Sequence, residues 1–368
     1  MTATASRPAG DLQGAVHPER LEPVLEAVRR RAAGVDAALD DPRRVLAEVA
    51  SAGLLDQGVD DLLAGSPAAA DVRATADVVA QLARECLSSG FVVWAHRMVI
   101  DYLARGRRTD SSDRLLRELR RGERVGVTAM ATGMKALAGL EPLSVTGRAA
   151  PDGTLELSGR LHWASNLVPG AVIVLPAQLD DGRRVVVRIG RDDDGVIVHP
   201  VTGLLALDAT ASGSLSLTGV RVGADAVLSE DFAGFAAGFR PAFLLIQSAL
   251  AVGLAGRSLD EARAGLDRPG NDTLAPSLAE LARRFEAVRG AWWRMAADAP
   301  AAPLRDLLQV RLDAALLVGE ATRLELTVAG GRGDHAPGGP ARRFREAAFF
   351  PVQSPSEGHL RWELSSLN

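Results

Sequence analysis

The sequence has very few sulfur-containing, lysine and aromatic side chains. Among its 368 residues there is one cysteine, and 4% of the residues are aromatic. Because Cys86 is alone, the chain can form neither an internal disulfide nor a metal site built from several cysteines. Lys135 is the only lysine, so arginine supplies nearly all of the positive charge. No pair of histidines has the spacing of metal ligands, and the sequence therefore predicts no metal site.

The charge balance and hydrophobic content favour a globular protein. Lys and Arg number 42, Asp and Glu number 46, the formal charge is −4, and 47% of the residues are hydrophobic. A slightly acidic chain of this kind argues against nucleic acid as the main partner. No run approaches the ~18 apolar residues needed to span a bilayer, and the N-terminus lacks an apolar signal core. These features predict a cytoplasmic protein that does not insert into membranes.

Hydrophobic periodicity divides the chain into three stretches: 1–125, 126–232 and 233–368. The first and third stretches show the three-and-four spacing of amphipathic helices. In the segment 91–103, apolar residues occur almost all round the helix, which predicts a buried central helix. The middle stretch instead alternates, with turns such as Asp180-Asp-Gly182 between short runs. We therefore predict an α+β fold, with an N-terminal helical bundle, a middle antiparallel β-barrel or sandwich, and a C-terminal helical bundle.

An order of helices, then strands, then helices is unusual. In this sequence, several motifs along that order resemble those of the acyl-CoA dehydrogenase superfamily. The resemblance covers essentially the whole length of the chain. It rests on the order and spacing of seven segments: Leu82–His96, Ala131–Gly133, Leu161–Asn166, Leu215–Val222, Ala251–Ala255, Val328–Gly331 and Arg345–Ala347. The resemblance implies the fold predicted above, FAD or alternatively FMN as the cofactor, and a homodimer or homotetramer that binds flavin across its subunit contacts.

The same resemblance implies a set of flavin-binding residues. A flavin ring is flat and apolar with polar edges, and a protein tunes it by stacking and by hydrogen bonds at those edges. Trp163 would contact the ring, and the hydroxyls of Thr132 and Ser165 would lie near N5 and the pyrimidine edge. Gly330 and Gly331 would allow close approach to a pyrophosphate. From the residues alone, Trp163 would be taken for a barrel core residue and the two hydroxyls for turn residues, and the glycine pair could equally be a helix stop.

The sequence departs from the superfamily where the catalytic base is expected. An acyl-CoA dehydrogenase needs a carboxylate to remove the α-proton. The two positions where the family places it fall on Ser354 and Phe243. Glu357, three residues after Ser354, is the remaining candidate base. In the superfamily, a further motif clamps the FAD of the partner subunit, and in this sequence it is reduced to Arg268-Pro-Gly270. The resemblance therefore implies Arg268 as the one cofactor contact retained from that motif.

These departures leave three functions open. The first is oxidation of an acyl thioester, bound to CoA or a carrier protein, with an electron-transfer flavoprotein as electron acceptor. The second is a flavin-dependent monooxygenase, since some enzymes of this fold take reduced flavin from a reductase and use O₂ with a small-molecule substrate. In that branch His96 would be catalytic, although a buried core histidine is an equal alternative. The third is a non-catalytic subunit of a dehydrogenase complex.

Overall fold

The computed structural model describes residues 16–367. Six helices precede the strands: α1 Pro18–Asp36, α2 Arg44–Ser51, α3 Val59–Leu63, α4 Arg73–Glu85, α5 Leu87–Arg105 and α6 Asp110–Arg120. The strands are β1 Gly126–Thr128, β2 Val145–Ala149, β3 Leu155–Ala164, β4 Val172–Leu179, β5 Arg184–Gly190, β6 Val196–Pro200, β7 Gly213–Val222 and β8 Val227–Ser229, with helix α7 Ala131–Leu137 between β1 and β2. Five helices follow: α8 Phe232–Ala264, α9 Ala275–Ala296, α10 Leu304–Ala329, α11 Gly339–Ala347 and α12 Glu357–Ser366. The predicted α+β order is confirmed.

The strands form one sheet in the order β6-β7-β3-β2-β4-β5-β8, with β1 beside β4. Most neighbours are antiparallel, as predicted, but β1 and β2 both pair with β4 in parallel. Successive residues of β4 point to opposite faces. Ile173 and Leu175 enter a core enclosed by the sheet, whereas Val172 and Val174 pack on the helices. The sheet therefore has its own core and shares its other face with the helical core.

Helices α5 and α8 form the centre of the helical core. As its all-round apolar pattern predicts, α5 is buried along nearly its whole length. By length and composition α8 could cross a membrane, with a mean hydropathy of 1.5, but 94% of its apolar window is buried inside the protein. Close approach of α8 to α4 depends on Gly253, because a Cβ there would lie 2.0 Å from the Ala80 carbonyl oxygen. Within residues 16–367, no group of three His, Cys, Asp or Glu side chains could hold a metal ion.

Candidate functional site

The segment 163–166, where β3 ends and the chain turns, presents an exposed tryptophan on a strained backbone. We refer to it as the turn 163–166. The β3–β7 ladder shifts register between Leu161 and Ala164, and Trp163 has φ of 61° with 62% of its surface exposed. Such an irregularity in a ladder re-aims side chains, and positive φ is unfavourable for a bulky residue. The adjacent Ala164 is buried. Trp163 is therefore not the barrel core residue that the sequence left as an alternative.

Asn166 fixes this turn to the helical part of the protein. It is fully buried, with φ of 66°. Its Nδ2 donates hydrogen bonds to the Val92 and Gly126 carbonyl oxygens, both at 3.2 Å. Since Val92 lies on α5 and Gly126 begins β1, the turn is held against both elements. Strain maintained by such surroundings is typical of ligand-binding sites.

Ser165 ends a directional chain of hydroxyl groups. Its Oγ lies 2.7 Å from Ser212 Oγ, which lies 2.8 Å from Thr210 Oγ1. Thr210 Oγ1 donates to the Leu207 carbonyl oxygen at 2.7 Å. Because each hydroxyl has one proton, Ser212 donates to Thr210 and Ser165 donates to Ser212. Ser165 is thus left with free acceptor capacity, so it can receive an N–H donor.

Thr132 is the second residue of α7. Its Oγ1 is buried without a hydrogen-bond partner, so this hydroxyl has an unused donor and unused acceptor capacity. The neighbouring Gly133 packs closely, because a Cβ there would lie 2.7 Å from the Phe232 ring. In β1, Thr128 is already engaged, with Oγ1 3.0 Å from the Tyr102 hydroxyl. Of the two threonines, Thr132 is the one with an unsatisfied group.

The hydrogen bonds of His96 favour the buried core histidine over the catalytic residue. The Gly126 N–H donates to Nδ1 at 3.0 Å, and Nε2 donates to the Leu119 carbonyl oxygen at 2.9 Å. Both ring nitrogens are therefore engaged with backbone. Burial lowers the pKa of His96 to about 4, so the imidazole is neutral at pH 7. It joins α5, α6 and β1 and has no ring nitrogen left for a substrate.

Aromatic rings fill the space between α5, α8 and the turn 348–356. The Phe91 and Trp94 ring centroids are 5.3 Å apart, as are those of Trp94 and Phe243, and Phe91 meets Phe349 edge-on at 5.2 Å. Phe91, Trp94 and Phe243 are buried. Phe243 is one of the two positions where a carboxylate base was expected, and here it completes an apolar wall.

The other expected base position, Ser354, lies beside a buried polar cluster. Gln247 Nε2 donates to the Ser354 carbonyl oxygen at 2.9 Å. Arg311 donates from Nε to Gln247 Oε1 at 2.9 Å and from Nη2 to Gln353 Oε1 at 3.0 Å. Helices α8 and α10 thereby hold the turn 348–356 in place. The Ser354 hydroxyl is buried and unpartnered.

Glu357 does not replace the missing base in this structure. It is the first residue of α12, after the capping residue Ser356. Its Oε1 accepts a hydrogen bond from Arg361 Nε at 2.9 Å, one turn later on the same helix. This pair is partly exposed. The carboxylate is therefore engaged at the surface of α12, which argues against the proposed role of Glu357 as the catalytic base.

Arg268, Gly330 and Gly331 meet in a separate corner formed only by the C-terminal helices. Arg268 Nη1 lies 3.4 Å from the Val328 carbonyl oxygen, which also accepts from Asn271 Nδ2 at 3.0 Å. Gly330 ends α10 with φ of 61°. No atom lies within 4 Å of where a Cβ would stand on either glycine. This corner is open, as a surface that receives a ligand must be.

Sequence reasoning missed Asn166, Gln247 and Arg311. Asn166 was inside the segment Leu161–Asn166, but its anchoring role depends on a positive φ that composition does not indicate. Arg311 did leave a signal, because it interrupts the apolar stripe of α10 between the buried Leu308 and Ala315. A charged residue on the buried face of a helix needs a partner.

Comparison with solved structures assigns the fold. Butyryl-CoA dehydrogenase from Megasphaera elsdenii superposes with a TM-score of 0.81 at 17% identity, over 98% of this chain and 99% of that one. Dibenzothiophene monooxygenase from Paenibacillus sp. A11-2 gives 0.77 at 18% identity, over 95% of each chain. KijD3, in complex with FMN and a dTDP-linked amino sugar, gives 0.78 at 22% identity, over 98% and 94% of the two chains. No protein-family model and no curated protein matches the sequence. The chain has the acyl-CoA dehydrogenase fold, which also occurs in a monooxygenase.

Proposed function

We propose that the protein is a flavin-dependent oxidoreductase that binds the flavin ring at the turn 163–166. The observation that carries this proposal is Trp163, an exposed indole on a strained and anchored backbone. A flat apolar ring would cover that surface. The buried unpartnered hydroxyl of Thr132 and the acceptor oxygen of Ser165 match the polar edges of such a ring. A solved structure of the same fold contains FMN, which agrees with this assignment.

When bound, the flavin would supply hydride or single-electron chemistry that no side chain provides. The residues of this chain would hold and orient it. Trp163 would contact the ring, and Ser165 would accept a hydrogen bond from one of its N–H groups. Arg268, Gly330 and Gly331 form a second open surface on other elements, and we propose that it completes the cofactor site of a neighbouring copy. That arrangement requires a homo-oligomer.

The missing carboxylate base counts against acyl-thioester dehydrogenation, and we propose instead monooxygenation by a route that does not use His96, whose ring nitrogens are both engaged with backbone. Dehydrogenation needs a carboxylate at the substrate α-carbon, and removing such a base typically lowers the rate by ~10²–10⁴. Here Phe243 and Ser354 stand at the expected positions, and Glu357 is paired with Arg361. Oxidation by O₂ has no need of that base. The wall formed by Phe91, Trp94 and Phe243 would keep water out, which limits loss of reactive oxygen species to solvent.

Two assays on the same purified protein test this proposal. The protein loaded with reduced FAD or FMN is mixed with O₂, and the return of oxidised flavin is followed by stopped-flow absorbance. Separately, oxidised complex is mixed anaerobically with butyryl- or octanoyl-CoA. We expect oxidised flavin to return more slowly from the protein than from free reduced flavin, because a site closed to water delays the release of hydrogen peroxide, and we expect acyl-CoA to leave the absorbance unchanged.

Bleaching by acyl-CoA would contradict the monooxygenase assignment. If Glu357→Gln abolished that bleaching, Glu357 would be the base and the dehydrogenase alternative would stand. Glu280→Gln is the matched control, because Glu280 also pairs with an arginine on its own helix. Flavin binding without either reaction would favour the non-catalytic subunit.

A further inference from the structure

Arg311 is a fully buried cation without an acidic partner. It lies on α10 with no exposed surface. Its two hydrogen bonds go to neutral amide oxygens, those of Gln247 and Gln353, and the Phe350 ring centroid lies 5.9 Å from its Cζ. Among residues 16–367, no carboxylate forms an ion pair with it, and burial lowers the pKa of its guanidinium to about 10. It is therefore still charged at pH 7.

Two other buried arginines of the protein have acidic partners. Arg97 pairs with Asp101, and Arg343 pairs with Glu325, each inside the protein. Paired burial is the general rule, because a charge taken out of water is strongly destabilising unless an opposite charge compensates it. Arg311 has no such partner among the described residues, so we expect a negatively charged group from outside the chain to bind it.

Three polar atoms at this site have no hydrogen-bond partner. They are Arg311 Nη1, Gln353 Nε2 and Ser354 Oγ, and each is shut off from bulk water. They belong to residues that one hydrogen-bond network joins, because Arg311 donates to the amide oxygens of Gln353 and Gln247, and Gln247 donates to the Ser354 carbonyl oxygen. All three can donate a hydrogen bond. A buried group of donors beside a cation calls for an anion with several acceptor lone pairs.

We propose that Arg311, Gln353 and Ser354 form a binding site for a small oxyanion, such as a carboxylate. The site lies just beneath the turn 348–356, where Val352 is 71% exposed. Because the three donors are shut off from bulk water, an anion would reach them only if the hydrogen bonds that hold this turn to α8 and α10 opened. The anion is either a free ion or the charged group of a larger ligand that enters the same region. The proposal does not depend on flavin binding.

Thermal unfolding of the intact chain tests the site. In a low-salt zwitterionic buffer, wild type is titrated with formate, acetate, phosphate or chloride. A ligand at 100 times its Kd should raise the melting temperature by ~3–5 °C, and the rise should saturate. Arg311→Met should lose the saturable response. Arg284→Met should keep it, because Arg284 pairs with Glu320 on the surface.

Different anions distinguish the two sources of the charge. A response to carboxylates but not to phosphate or chloride would indicate the carboxylate of an organic ligand. An equal response to all small anions would indicate a free ion. No saturable response in wild type, or the same response in Arg311→Met, would overturn the proposal. If Arg311→Met does not fold, Gln353→Leu serves instead, and we expect its titration midpoint to rise at least tenfold; an unchanged midpoint would also overturn the proposal.

Discussion

Substitutions of Trp163 should separate its backbone strain from its contact with the flavin. About two-fifths of the indole is buried, since its exposed fraction is 62%. For an aromatic surface of ~250 Å² and ~25 cal/mol per Å², truncation should reduce the free energy of unfolding by about 2 kcal/mol in either Trp163→Ala or Trp163→Gly. At φ of 61°, however, alanine is less favourable than glycine by ~1 kcal/mol.

We therefore expect Trp163→Gly to be more stable than Trp163→Ala by ~1 kcal/mol, as measured by urea unfolding. Elsewhere glycine is the less stable of the two, by roughly 0.5–1 kcal/mol within regular structure. Flavin affinity, measured by fluorescence titration, should fall by roughly ten- to a hundredfold in both variants, because a stacked aromatic contact contributes ~1–3 kcal/mol. Ile197→Ala, at another exposed apolar residue, should bind flavin like wild type. A more stable alanine variant would refute the strain argument, and unchanged flavin affinity would refute the contact.

Four further predictions follow from other parts of the structure. Glu357→Gln should leave flavin reoxidation by O₂ unchanged, because its carboxylate pairs with Arg361; a rate loss above tenfold in stopped-flow would refute this. Burial lowers the pKa of His96 from 6.5 to about 4. The contribution of neutral His96 to the free energy of unfolding is therefore fully present above pH 6.5, and roughly 3 kcal/mol is lost as the pH falls to 4. Urea unfolding should show that loss in wild type and in His199→Gln, whereas in a folded His96→Gln the fall in stability between pH 6.5 and 4 should be smaller by roughly 3 kcal/mol, with buried His359 still contributing to it. Gly253→Ala should reduce the free energy of unfolding by ~1–3 kcal/mol, whereas Gly319→Ala, with open space around it, should not. Light scattering at micromolar concentration should detect an oligomer, since Phe344, Val352, Trp362 and Leu367 leave exposed apolar surface near the C-terminus; a monomer would contradict this.

The regular helices could be predicted because their patterns are local. Apolar residues all round the segment 91–103 indicated a buried helix, and α5 is one. Helix α7 escaped prediction because it has only seven residues and is flanked by short loops. The parallel pairing of β1 with β4 joins residues that lie 46 positions apart, Gly126 and Val172. No local alternation specifies such a partner.

Only part of the candidate site could be predicted, because its motifs are local in sequence whereas its geometry depends on distant residues. The segment Leu161–Asn166 pointed to Trp163 and Ser165, but the exposure of Trp163 depends on the irregular ladder between β3 and β7. The sequence left His96 open as a catalytic or a core residue, and its two backbone partners, from α6 and β1, favour the core residue. The partners of Arg311 come from two distant segments, so only the interruption of its apolar stripe was visible beforehand.

The most direct test of the central claim is a calorimetric titration of the purified protein with FAD and with FMN, each in its oxidised and reduced form. We expect saturable binding of at least one of these four ligands, weakened in Trp163→Ala and retained in Ile197→Ala. Absence of saturable binding for all four ligands, with wild type folded by circular dichroism, would contradict the assignment of a flavin site.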